Sequence, residues 1–212
     1  MNTQEKFVIT ISREVGSGGR TVGRKLAEKL GVRFCDKQVI KKLTEMFGLN
    51  ASEIESIKGR KKTWLEELFS KITPVYGSET FIPKGVDYAP EVTSDEIFNY
   101  ESQVIQSLAE ESSCVIAGRS GFFVLKDHPN KLDVFIHASG PNRVKRIMRK
   151  QELSETEAEE VIAYVDKARE NYIQKYASTS RYDLRNYDLV LNMDYLTEDE
   201  AVDLILKAIG QD

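Results

Sequence analysis

The 212-residue chain holds two cysteines, two histidines, one tryptophan and five prolines, and it contains no long hydrophobic run. Each scarcity excludes something. Cys35 and Cys114 cannot staple a small disulfide fold, and as a free pair they read as buried small hydrophobes in a reducing setting. Residues 1–10 carry no charged-then-apolar leader, so a cytoplasmic protein without a secretory signal is expected. His128 and His137 have no partner at ligand spacing, which argues against a zinc site. Apolar runs such as Cys114–Ala117 and 189–191 fall far short of the ~20 residues a membrane span needs, so no membrane partner is expected. An excess of positive charge is missing too. Thirty basic against thirty-four acidic residues give a net charge of −4, so bulk charge does not draw a polyanion and any anion site is local. The basic run Lys58, Arg60, Lys61 and Lys62 reads as a solvated turn, and nucleic acid is not an expected partner.

What is present is an ordinary globular composition, 41% hydrophobic and 30% charged. Phe7, Val8, Ile9, Thr10 and Ile11 make a short β-branched run that ends at a glycine cluster, after which Val22, Leu26 and Leu30 follow a helical period. Gly31 stands where a helix-terminating glycine belongs, and a second strand is expected over 32–35. Between Gly48 and Pro90 the pattern loosens. A short helix is predicted over 64–72 among Pro74, Pro83 and Pro90, and the stretch reads as an insertion, not a second domain. Ser94 is placed to cap a long helix over 95–111 that leads to a buried-type strand at Cys114–Ala117. A fourth strand is expected over 133–137, and Pro141 suits the first turn of a basic helix. Ser154 with Glu157 and Thr197 with Glu200 are capping-box pairs for two further helices, with a fifth strand over 188–192 between them. Strands alternating with helices imply right-handed crossovers and a parallel sheet covered on both faces, whose ligands bind at the carboxyl ends of the strands.

The run Ser12 to Thr21 after the first strand is where such a ligand would sit. Successive glycines let backbone N–H groups turn toward an anion, and the following helix adds the positive end of its dipole, so the loop suits a polyphosphate. The Walker A pattern is met in part. Gly18 fills the second glycine position, and Thr21 can supply a magnesium hydroxyl one residue later than the strict pattern. Arg13 occupies the first glycine position and Gly19 the lysine position, which leaves the adjacent Arg20 as a candidate for the β- and γ-phosphates.

On these residues the chain resembles the cytidylate kinase-like family, a divergent branch of the P-loop nucleoside monophosphate kinases. Ile9 to Ile11 with Gly16, Ser17, Gly18, Gly19, Arg20 and Thr21 is similar to the family's first strand and phosphate loop. Phe34-Cys35-Asp36 is similar to its aromatic-x-Asp segment at the acceptor nucleotide, and Lys42 falls where the family places an arginine for the acceptor phosphate; Lys37-Gln38 replace a Thr-Gly pair. Gly118-Arg119 resembles an Asp-Gly-Arg-Asp segment in which Ala117 and Ser120 stand for the aspartates. Asp166 and Arg169 match an Asp-x-x-Arg on the closing helix, where the resemblance implies contacts to the acceptor sugar and the transferring phosphoryl group. Residues 187–192 are similar to the last strand on the adenine side.

The predicted lid has its own chemistry. Arg143, Arg146 and Arg149 recur every third residue on one helical face, while Val144, Ile147 and Met148 supply an apolar contact surface. Arginines that arrive on closure can neutralise charge on a moving phosphoryl group. The expectation is therefore a P-loop NTPase-type three-layer α/β/α sandwich with a five-stranded parallel sheet. Its single kinase domain comprises a core at 1–35, 101–139 and 179–212, an acceptor-binding insertion at 36–100 and a helical lid at 140–178. ATP and Mg2+ are the expected cofactors and a pyrimidine monophosphate, CMP or dCMP, the acceptor. Gly16 to Thr21, Arg143 and Arg146 would hold ATP, Thr21 the metal, and Asp36, Lys42, Arg119, Asp166 and Arg169 the acceptor, with Arg20, Arg119 and Arg169 neutralising charge in catalysis. Two alternatives stay open: a P-loop kinase for another small acceptor, and a nucleotide-binding regulatory protein without turnover, which Gly19 favours.

Overall fold

The computed structural model describes residues 1–36 and 95–211. Lys42, the basic run at 58–62 and the helix predicted over 64–72 lie outside them. Strand β1 (Val8–Arg13) is apolar on both faces, with Val8, Ile9 and Ile11 fully buried, which marks a central strand. It continues two residues past the predicted apolar run and ends on Arg13. Helix α1 (Gly19–Leu30) buries Val22, Leu26 and Ala27. Gly31, at φ +64°, closes it by donating its N–H to the carbonyls of Ala27 and Glu28.

The chain continues through β2 (Arg33–Cys35), α2 (Asp95–Glu111), β3 (Cys114–Ala117), the one-turn α3 (Gly121–Val124), β4 (Lys131–His137), α4 (Gly140–Gln151), α5 (Glu155–Ala177), a 3-10 turn (Leu184–Asn186), β5 (Leu189–Asn192) and α6 (Glu198–Ala208). The five predicted strands are present, and both capping boxes are formed, with Ser154 on Glu157 and Thr197 on Glu200. Strand β4 starts two residues before its expected position, and α3 and the 3-10 turn have no counterpart in the sequence reading because neither is long enough to show a period. Among the described residues, no helix is long and apolar enough to cross a membrane.

The sheet order is β2-β3-β1-β4-β5 and every pairing is parallel. One core cluster joins Ile9 and Ile11 of β1 to Val22 and Leu26 of α1, Val134 and Ile136 of β4, and Val202 and Ile205 of α6. Each such fully buried side chain contributes roughly 1.5–3 kcal/mol of transfer free energy. Helix α3 lies on the opposite face, where a Cβ on Gly121 would stand 3.5 Å from Thr10 Cβ. The result is the expected three-layer α/β/α sandwich of P-loop type. With β1 in the middle, its carboxyl end opens between those of β3 and β4, and the glycine loop rises from that point. A second apolar cluster, Val15 with Val144, Ile147, Ala158 and Val165, seats the loop against α4 and α5.

Candidate active site

Two glycines give the loop its bend. Gly16 and Gly18 have φ of +80° and +91°, and a Cβ on Gly16 would come within 2.7 Å of the Arg143 carbonyl oxygen. Ser17 is buried; its hydroxyl donates to the Glu14 carbonyl at 2.9 Å and so fixes the turn. No side-chain hydrogen bond caps the start of α1, which leaves the positive end of the helix at the bend.

Around this bend the structure assembles cations from α1, α4, α5 and the segment that follows α5. Arg20 donates from Nε to Asp36 Oδ2 at 2.8 Å, and its Nη2 lies 2.6 Å from the same oxygen. Two residues read separately in the sequence, one for phosphate and one for the acceptor, are thus an ion pair. Arg143, on α4, is buried. It donates to the Val15 carbonyl at 2.7 Å, pairs with Asp166 on α5 and lies 3.4 Å from Glu14 Oε1. Asp166 also accepts from the Val15 N–H at 3.2 Å and lies 3.3 Å from Arg181 Nη1 and 3.7 Å from Arg169 Nη1. Arg169 and Arg181 both donate to the Arg13 carbonyl, the former at 3.2 Å. Arg146 pairs with Glu198 on α6 and lies 3.4 Å from the Thr21 hydroxyl. A Cβ on Gly18 would sit 3.2 Å from the Arg146 guanidinium carbon.

Arg119 lies apart from this group, on the loop after β3. Gly118, Arg119 and Ser120 have φ of +84°, +53° and +53°. Holding two non-glycine residues there costs of order 1–3 kcal/mol each, and such strain clusters at functional sites. The Arg119 guanidinium is almost fully buried and 3.2 Å from Glu101 Oε1 on α2, whose other oxygen accepts from the Tyr172 hydroxyl at 3.2 Å.

Beside the loop, a cleft of about 490 Å³ runs between α4 and the β5–α6 connection, with Ser17, Ala138, Arg146, Met193 and Leu196 on its walls. Asp194 braces it by accepting from the Ser139 N–H at 2.9 Å and from Asn142 Nδ2 at 2.8 Å; these bonds hold its carboxyl below the usual aspartate range. Among the described residues, no three His, Cys, Asp or Glu side chains form a metal cluster. Burial drives the Cys35 thiol well up and the Cys114 thiol up to about 12, which marks both as structural.

Sequence reasoning overlooked Arg13, Glu14, Glu101 and Arg181. Arg181 falls in a segment without periodicity. Arg13 reads in sequence as the occupant of a glycine position, although the missing side chain at Gly19 is a signal that something else fills that space.

The model of the cytidylate kinase-like family matches residues 8–195. A cytidylate kinase of Sulfurisphaera tokodaii is 28% identical over 200 residues, covering 94% of this chain and 93% of that one. The crystal structure of an uncharacterized protein from Eubacterium ventriosum superposes with a TM-score of 0.69 at 25% identity, over 98% of this chain and all of the other. A family match across most of the chain, on the strand order and glycine loop described above, places this protein in the cytidylate kinase-like family of kinases.

Proposed function

We propose that the protein transfers the γ-phosphoryl group of ATP to a pyrimidine nucleoside monophosphate, CMP or dCMP, releasing ADP and the nucleoside diphosphate. The observation that carries this reading is the convergence of Arg143, Arg146 and Arg169, from two helices that follow one another in the chain, on a glycine bend at the end of the central strand. A bend of inward N–H groups suits the phosphates, and the cleft beside it has apolar walls at Ala138, Met193 and Leu196 that suit a base. The name of the Sulfurisphaera relative supports cytosine as the acceptor base.

No side chain need form a covalent bond. An oxygen of the acceptor phosphate attacks the γ-phosphorus as the bond to the β–γ bridging oxygen breaks, and the chain's part is positioning and charge neutralisation. Residues 16–21 hold the donor phosphates, with Arg143 and Arg146 flanking them. Arg169 neutralises the equatorial oxygens in flight, and Asp36, paired with Arg20, lines the acceptor side together with Arg119. Residues 36–100 serve as the acceptor-binding insertion and 140–178 as the lid that excludes water. Magnesium takes oxygen ligands and keeps much of its water, so the Thr21 hydroxyl with phosphate oxygens is a sufficient donor set; when bound, it neutralises charge on the phosphates.

The test is to mix pure protein with ATP, magnesium and a panel of nucleoside monophosphates and to follow ADP. Turnover preferring CMP or dCMP supports the proposal. Preference for another acceptor assigns a different substrate, and ATP binding without acceptor-dependent ADP assigns a regulatory role.

A further inference from the structure

Arg13 ends the central strand at the position where a glycine opens the customary loop, and two glycines make room for its side chain. A Cβ on Gly19 would stand 2.6 Å from Arg13 Cβ and 3.1 Å from its Cγ. A Cβ on Gly118 would overlap Arg13 Nη1 and lie 3.1 Å from its Cζ. The side chain therefore crosses position 19 and ends between the carboxyl ends of β1 and β3, which are neighbours in the sheet. A lysine at 19 and this arginine compete for the same space.

The guanidinium is only partly exposed, and among the described residues no carboxylate oxygen lies within 4 Å of it. Two more cations reach the same residue, since Arg169 and Arg181 donate to its carbonyl. Burial first, then Arg169, with Arg181 and Arg20 adding and Asp36 opposing, brings its pKa down to about 9. It stays charged at neutral pH. Positive charge crowded in this way, with only the more distant Asp36 to oppose it among the described residues, is unfavourable, and polyphosphate oxygens relieve it. Arg20, nearer in sequence to the expected lysine, is instead turned onto Asp36.

We propose that the Arg13 guanidinium contacts the transferring polyphosphate from the first loop position, in place of a lysine at position 19. This rests on the kinase reading above. A planar fork can bridge two phosphate oxygens where an ammonium acts as a point charge, so the exchange alters how the phosphates are gripped while keeping the charge.

The experiment compares the full chain with Arg13→Met, Gly19→Lys and the double variant Arg13→Gly/Gly19→Lys, by ATP titration calorimetry and by ADP release with the acceptor found in the panel. Without nucleotide, Arg13→Met should melt no lower than the native chain, because a crowded cation is gone. Its ATP affinity should fall by roughly tenfold or more and its turnover by about a hundredfold. Gly19→Lys alone should be impaired by collision with Arg13, and the double variant should recover at least about tenfold over it. Native-like affinity and turnover in folded Arg13→Met overturn the proposal and leave the kinase reading intact. A folded double variant no better than Gly19→Lys overturns it equally, and decides the matter if Arg13→Met does not fold. A native chain that binds no nucleoside triphosphate overturns the kinase reading and the proposal with it.

Discussion

Asp166 on α5 accepts a hydrogen bond from the backbone N–H of Val15, 3.2 Å away, so a carboxylate of the predicted lid holds the glycine loop directly. The same buried group balances Arg143 and Arg181. Asp166→Ala leaves two buried guanidiniums short of their anion and should cost about 3–5 kcal/mol. For a chain of this length that is a fall of roughly 10 °C in melting temperature. A variant melting with the native chain would remove Asp166 from this role.

Gly16→Ala tests the bend. The residue sits at φ +80°, with the Arg143 carbonyl oxygen 2.7 Å from where the new Cβ must go. The left-handed conformation alone costs about 1–2 kcal/mol, and the loop has to move to clear the contact. ATP affinity should drop by more than the melting temperature suggests, because the displaced N–H groups are those proposed to hold phosphate. Unchanged ATP titration would contradict this.

Arg169 stands 3.2 Å from the Arg13 carbonyl, at the mouth of the loop. Arg169→Ala should lower kcat by about tenfold or more, the scale of a lost transition-state charge contact, with a smaller effect on the KM for ATP. Steady-state kinetics at saturating acceptor check it. Unchanged kcat takes Arg169 out of the reaction.

Most of the fold was legible in the sequence because each piece carried a local signal. Ile9 and Ile11 announced a buried strand, Gly31 a helix end, and the Ser154 and Thr197 boxes two helix starts. The site was less legible because its geometry is non-local. No local signal announces that Arg20 meets Asp36 sixteen residues on, or that Asp166 reaches Val15. Arg143 belongs to the arginine face expected to hold ATP, and nothing in its own segment signals that Val15 and Asp166 come from distant parts of the chain to bury it. Arg13 is hidden for a similar reason. Assigning the missing cation by adjacency favours Arg20, whereas the direction in which a strand end projects its side chain favours Arg13.

The α6 capping box sets a pH dependence. Glu200 accepts from the Thr197 N–H and from its hydroxyl, each at 2.8 Å, and these bonds hold its carboxyl below the ordinary 4.5. A carboxyl depressed in the folded state adds stability above pH 4.5 that is lost as pH falls through its folded value. Glu200→Gln should therefore be less stable than the native chain at pH 7, with the gap narrowing below about pH 4.5 in denaturant titrations. A gap that stays constant down to acid pH would refute the assignment.

The central claim is that the loop at the end of β1 holds nucleoside triphosphate. Titrating ATP with magnesium into folded, monodisperse protein in a calorimeter tests it most directly. Saturable heat at one site per chain, weakened by Gly16→Ala, is the result expected; no heat with any nucleoside triphosphate would contradict the account.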